Sequence, residues 1–491
     1  MSLTRSHARM TLGAPPCVLD RGADNTGTGD TRTRLLAAAA ASPKGFHLPS
    51  GTYRLASDTA FTAPVSFDPG AVVRPDAGVT VTFNGGVQAD LYQVFDTAAS
   101  GALIRGLTVA RPEWFGAVRN GGTDDSAAIN RALACVGLAG GGEVLLSGGN
   151  YAIASSLALP YGVKLRGCGR TATCFKVNSL SLTAIDVAAS AQHWEVSGLS
   201  VINAVRGTSG AAVYAAAASV GRIIDVRSYK MSKGVVLGDS VGTKIEHCEF
   251  SDFTGEGILI SGSCNDVFLR DTICNGANFD TGVPNPASTG LRVVGKAEAL
   301  MVQGLDVVLC NEGLFLTGDG PTTGNTPAYS RFSQCFFDSC LAASVIDNSR
   351  NLSLSDCWFS NRPGGGLSIT GSRDVIFTNC SFINNHQYGC LVGAGSTQVR
   401  FMACSFDSNG QASAGAGWDG VAIAAGVTDF SVIGCFAGNG GRFAATQGTG
   451  ISVEVGASDR YVIHGNLVTG NLTSGTFDGG TGVNKLIAGN Y

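Results

Sequence analysis

The chain has 491 residues, of which 69 are glycine and 14% are charged, with a formal net charge of −4. That balance leaves no basic footprint for nucleic acid, and no apolar run approaches the roughly 20 residues that span a bilayer. Abundant glycine with sparse charge suits short strands joined by tight turns and argues against long helices.

Residues 1–17 show no periodicity and are expected to form a flexible or docking segment. They lack the apolar core of an ordinary secretory signal. Within residues 18–110, Asp30 is placed as the N-cap of a short helix running into the alanines Ala37 to Ala41. His47-Leu-Pro-Ser-Gly-Thr-Tyr53 then reads as a strand entered through a turn, and residues 56–110 as further short strands. Arg111-Pro-Glu-Trp114 forms a junction, and about 95 residues on the same order returns across 111–170. Phe115-Gly-Ala-Val118 leads through Asn120-Gly-Gly-Thr-Asp-Asp125 into a helix, then to Gly140 and a strand through Tyr151. The chain therefore holds two copies of a helix-then-strand cap. Asp124 and Asp125, a carboxylate pair, are read as helix-start chemistry in preference to catalysis.

Residues 171–491 repeat one phrase. It stands as Leu352-x-Leu354-x-x-Cys357-x-Phe359, then from Val375 through Cys380 to Phe382, then from Val399 through Cys404 to Phe406. Each copy is followed by an asparagine: Asn361, Asn385, Asn409. The cysteine position runs 248, 272, 305, 335, 357, 380, 404, 435, with Thr272 and Leu305 as variants, in steps of 22 to 33 residues. Apolar pairs at i, i+2 do not fit an amphipathic helix, and a fixed repeat of this length is a solenoid signature. Alternate side chains point into a core, coils stack roughly 4.8 Å apart, and like residues pile into ladders of cysteine, phenylalanine and asparagine. The expected fold is all-β: a single-stranded parallel β-helix with short N-terminal capping helices over its open, edge-exposing end. Six of the fifteen cysteines occupy the inward position, where thiols pack as small hydrophobes. Without CxxC or Cys/His spacing, neither metal nor cofactor is expected.

The pattern Phe-Gly-Ala-Val, Gly-Thr-Asp-Asp, Ala-Ile, Gly-Gly-x-Val-x-Leu, Gly-x-Tyr resembles the N-terminal signature of the pectate-lyase-like superfamily. Arg-Pro-Glu-Trp-Phe-Gly-Ala, preceded by a copy with Leu-Pro-Ser-Gly-Thr-Tyr, looks like bacteriophage tailspikes. The resemblance covers residues 18–491, although the first copy carries Gly-Asp-Thr-Arg where the second has Thr-Asp-Asp-Ser. It implies a right-handed β-helix and a homotrimer on a virion whose surface binds, and often cleaves, bacterial capsule or O-antigen polysaccharide. Contacts to other virion proteins would run through the N-terminus. It hands over no catalytic residues, since relatives place their acids at different positions.

The register sorts the candidates. The residue between the cysteine and the following inward phenylalanine points out, giving a column Glu249, Ile273, Asp306, Phe336, Trp358, Ser381, Ser405, Phe436. Phe336 and Trp358 on adjacent rungs make a sugar-stacking platform, or else an interface with a neighbouring protomer. A second column precedes the glycine opening each following strand: Lys233, Glu256, Thr289, Glu312, then one unclear rung, Gly365, Tyr388, Asp419, Thr449. Glu256 and Glu312, two rungs apart at roughly 9 to 10 Å, suit the acid and base of an inverting glycosidase. Glu249 and Asp306 stand in the same relation. Tyr388 and Asp419 are further binding candidates, and the long insertions Asn275–Pro286 and Gly318–Tyr329 are candidate groove walls. β-Elimination competes, with Lys233, Arg270 and Arg292 as cationic partners, but no aspartate cluster suggests calcium. The favoured reading is hydrolysis. A glycan-binding spike without catalysis, or a cellular enzyme acting on pectin-like polymers, are the alternatives.

Overall fold

The computed structural model describes residues 15–412 and 417–491, so most of the N-terminal segment, residues 1–14, lies outside the described residues. The chain divides into two compact units, residues 1–176 and 177–491.

In the first unit, helix α1 (Arg32–Ala41) starts one residue later than expected, with Thr31 as N-cap. Asp30 instead accepts the backbone N–H groups of Arg32 at 3.1 Å and Ala56 at 3.2 Å, tying the helix start to the strand beyond it. The short strands that follow pair in parallel, Phe46–Leu48 with Val65–Phe67 and Thr59–Phe61 with Thr80–Phe83. Their inward phenylalanines form a chain of ring contacts from Phe46 through Phe61, Phe83 and Phe95 to Phe115. Helix α2 (Ser126–Leu138) buries Ile129, Ala132, Leu133 and Val136. Asp125 accepts the N–H groups of Val118 and Arg119 at 2.7 and 3.0 Å, and Asp124 accepts both N–H and hydroxyl of Ser126. Both carboxylates are thus spent on the turn before α2. The two cap copies also share a tyrosine device. Tyr53 and Tyr151 are fully buried, and each donates its hydroxyl to a carbonyl four residues back, Tyr151 sharing its proton between Ser147 and Glu113.

The second unit is a parallel β-helix. Most of its strands fall into two long parallel sheets, with rungs following one another in chain order. The repeat phrase has a direct geometric cause. Ile245, Cys248 and Phe250 all point inward and are buried, yet the spacing changes from three residues to two. His247, between them, is in the left-handed region (φ 56°), as are Gln334, Asp356, Asn379 and Ala403 before the later cysteines. One such residue turns a corner and resets the alternation of faces.

Ladders then lock the rungs. Phe359, Phe382 and Phe406 stack with centroids 5.0 and 4.8 Å apart. Asn385 donates to the Asn409 side-chain oxygen at 2.8 Å and accepts the Asn361 N–H at 2.7 Å, while Asn409 reaches Gln447 and Gln447 reaches Asn471. These buried amides satisfy backbone groups at the turn that would otherwise lack partners. A glycine ladder, including Gly234, Gly257, Gly290 and Gly389, lets the chain bend tightly into the next strand. A Cβ on Gly389 would sit 2.5 Å from the Gly420 carbonyl oxygen. All fifteen cysteines are free thiols.

Candidate active site

The outward column of the long sheet is continuous in register. Glu249 pairs with Ile273, Ile273 with Asp306, Asp306 with Phe336, and Phe336 with Trp358. Side chains on paired residues of parallel strands stand side by side, so Asp306 is directly below the aromatic pair. Phe336 is 47% exposed and Trp358 is half-buried. Burial pushes the Asp306 carboxyl above the usual carboxylate range, and the negative charge of Asp338 adds to it. Asp338 lies two residues beyond Phe336 on the same face, paired with Val308. One rung up and two residues along places it about 8 Å from Asp306 by backbone spacing. Glu249, two rungs below, forms an ion pair with Arg227 at 3.3 Å and accepts the Ser251 hydroxyl at 3.3 Å.

The second column lies on the other sheet. Glu256 pairs with Thr289 and Thr289 with Glu312, so the two glutamates are two rungs apart. The Lys233 ammonium is ion-paired with Glu256. Thr289 donates to Glu312 at 3.1 Å, and Arg292 lies 3.9 Å from the same carboxylate while its guanidinium covers the Phe315 ring at 4.2 Å. Both glutamates are therefore bound along their own ladder. Further up, Tyr388 meets Trp418 edge-on at 4.8 Å. Asp419 is 9% exposed and accepts the Ser452 hydroxyl at 2.5 Å and the Thr449 N–H at 2.7 Å, bonds that tie two strands together. Burial raises its carboxyl nonetheless.

The predicted residues thus separate into two groups. Asp306, Phe336 and Trp358 share one surface with Glu249, while Glu256, Glu312, Tyr388 and Asp419 share another. The insertion near Asp280 is pinned, because Arg206 bridges the buried Asp252 at 2.7 Å and Asp280 at 2.9 Å. Reading outward residues only at the position after the cysteine missed Asp338. Continuing the alternation one step, from Phe336 to Asp338, was the signal that finds it. Among the described residues, no group of three His, Cys, Asp or Glu side chains is arranged to hold a metal ion.

Residues 113–315 match the family model for rhamnogalacturonase A/epimerase, pectate lyase-like, and residues 313–491 match that for the right-handed β-helix region. The chain folds as a right-handed parallel β-helix, and its residues 113–315 are similar to the pectate-lyase-like family. Comparison with curated protein sequences gives no significant match. Among solved structures, bacteriophage CBA120 tailspike protein 3 is similar with a TM-score of 0.58 at 17% identity, over 78% of this chain and 60% of that one. The A-module of Azotobacter vinelandii mannuronan C-5 epimerase AlgE4 has a TM-score of 0.50 at 16% identity, over 78% of this chain and 99% of its own. The Dettilon tailspike protein has a TM-score of 0.51 at 14% identity, over 75% of this chain and 68% of that one. At such identities the likeness is one of fold. The β-helix is shared by tailspike proteins and an epimerase module, and chemistry must be argued from the side chains.

Proposed function

We propose that this β-helix protein is a phage-type spike that binds a bacterial surface polysaccharide and depolymerises it by glycosidic hydrolysis, with Asp306 as general acid. The observation that carries this reading is a carboxyl with raised proton affinity directly beneath an exposed phenylalanine and a tryptophan. A half-buried carboxyl with raised proton affinity is suited to deliver a proton to a glycosidic oxygen, and the rings offer apolar faces for the adjoining sugars. Asp338 is the candidate base. Its spacing from Asp306 falls within the roughly 6.5–9.5 Å that leaves room for an attacking water, so the stereochemistry expected is inversion. In the step, Asp306 gives its proton to the leaving oxygen as the glycosidic bond breaks, and Asp338 takes a proton from the water that attacks the opposite face. Glu249–Asp306 and Glu256–Glu312 remain the competing pairs, the latter held by Lys233 and Arg292. Two of the three structural neighbours described are tailspike proteins, which supports a virion location; the homotrimer and the contacts to other virion proteins through the N-terminal segment are part of the proposal.

The test is reducing-end release from host surface polysaccharide, followed alongside the ultraviolet absorbance of unsaturated uronates. New ends without absorbance are expected, and Asp306→Asn should lower cleavage by about 10²–10⁴-fold while leaving glycan binding intact. Ends with absorbance would mean elimination. Binding without either signal would make the protein an adhesion spike, and full activity in Asp306→Asn would remove Asp306 from the chemistry.

A further inference from the structure

A second feature of the β-helix unit bears on which polysaccharide it takes. A groove of about 230 Å³ is lined by Tyr329, Arg331, Asn351, Ser353, Asp374 and Ile376. Tyr329 occupies a corner where successive rungs place Ala299, Asn351, Asp374 and Gln398, all with φ between 51° and 57°. Asparagine and aspartate adopt that left-handed conformation at low cost, and a bulky aromatic residue does so rarely. Strained backbone of this kind concentrates at ligand sites. Here it holds a phenol ring 56% exposed at the groove edge. The Arg350 guanidinium lies 5.6 Å from the ring centroid, and its Nε is buried with no hydrogen-bond partner. Arg331 is exposed, beside Ser353. Among the described residues neither arginine is paired with a carboxylate, whereas the acid in the groove, Asp374, is neutralised by Arg400 at 3.3 Å and bonded by Asn351 at 2.9 Å. The groove therefore has an aromatic face, one lining arginine, Arg331, with Arg350 beside the ring, both lacking a counter-ion, and no uncompensated negative charge.

We propose that this groove is a subsite for a carboxylate-bearing sugar, a uronate or sialate unit of an acidic polysaccharide. The sugar face stacks on Tyr329 and the carboxylate is bound by Arg331, with Arg350 adding its charge from beside the ring. A planar guanidinium matches a carboxylate in two parallel hydrogen bonds. The inference rests on the glycan-binding reading above and narrows it to anionic chains.

The test uses the full chain and a panel of bacterial capsular and O-antigen oligosaccharides that carry a uronate or sialate carboxylate, each beside its carboxyl-reduced form. Binding is measured by calorimetry at low and high salt. The acidic forms should bind at least about tenfold more tightly than their reduced forms, with the difference shrinking as salt screens the charges. Arg331→Gln, an exposed position where folding is not at stake, should erase that difference while leaving affinity for the reduced forms unchanged. Tyr329→Ala should weaken both forms. Equal affinity for acidic and reduced forms, or an Arg331→Gln variant that still discriminates, overturns the subsite while the glycan-binding reading stands. No binding to any member of the panel overturns both.

Discussion

At the scale of single residues, Asp24 and Asp306 show the two directions in which the fold moves a carboxyl's proton affinity. Asp24 accepts bonds from Thr26 and Gly29 and is held down to about 2. A carboxyl whose folded value is lowered contributes stability above its unfolded value, near 3.9, and loses that contribution as pH falls through the folded value. Asp24→Asn should therefore lower the melting temperature near neutral pH, with the difference from wild type vanishing below about pH 2. Asp306 runs the other way. Its raised value means that folding is opposed as pH rises above the unfolded value, because the folded site resists losing the proton. Asp306→Asn should consequently raise the melting temperature near pH 7 and leave it unchanged in strong acid, while lowering cleavage. A stability gain coupled to a loss of activity marks a residue placed for function. The alkaline limb of the cleavage profile should follow Asp306, activity falling as its proton is lost. A profile whose alkaline limb is unaltered in Asp338→Glu, where the neighbouring charge is displaced, would argue against that assignment.

At the scale of elements, the ladders carry the β-helix. Asn385 sits at the centre of the amide ladder, accepting one backbone N–H and donating to the Phe359 carbonyl at 3.2 Å. Asn385→Ala removes the partner of both buried groups, which should cost about 2–6 kcal/mol, each orphaned group contributing about 1–3. Phe382→Ala removes a ring stacked on both sides and should cost about 3–5 kcal/mol. Denaturant titration of the isolated variants checks both, and an Asn385→Ala change below about 1 kcal/mol would mean that water replaces the amide. The asparagines and phenylalanines were legible as ladders because each repeat places them at one inward position. The glycine ladder was legible only as a marker of the strand start. Its cause, a carbonyl oxygen of the next rung where a side chain would be, depends on how coils stack and is not written in any one repeat.

At the scale of the whole molecule, the proposed homotrimer turns on which face would meet another protomer. The outward column of the second sheet runs through Val236, which is buried, then Leu259, Arg292, Phe315, Val345, Ser368 and Leu391, with Arg292 laid over Phe315. A column this apolar on the outside of a β-helix suits an interface between copies, which would leave Phe336 and Trp358 open to glycan. Sedimentation should then give three times the 50.0 kDa chain mass. Leu259→Glu with Leu391→Glu should shift it toward the single-chain mass, and Trp358→Ala should lower glycan affinity without changing mass. Dissociation by Trp358→Ala instead would place that ring in the interface.

The sequence by itself determined the fold class, the direction of each repeat position and the column holding Asp306, Phe336 and Trp358. Those follow from local alternation and from the fixed period, both of which are one-dimensional. Only the tertiary structure decided what surrounds each acid. Whether Asp306 keeps a proton depends on burial beside neighbours from other rungs, and whether Glu256, Glu312 or Asp419 is free depends on Lys233, Arg292 and Ser452, which reach them across the stack. Proton affinity is a property of the three-dimensional surroundings, and no spacing along a chain encodes it.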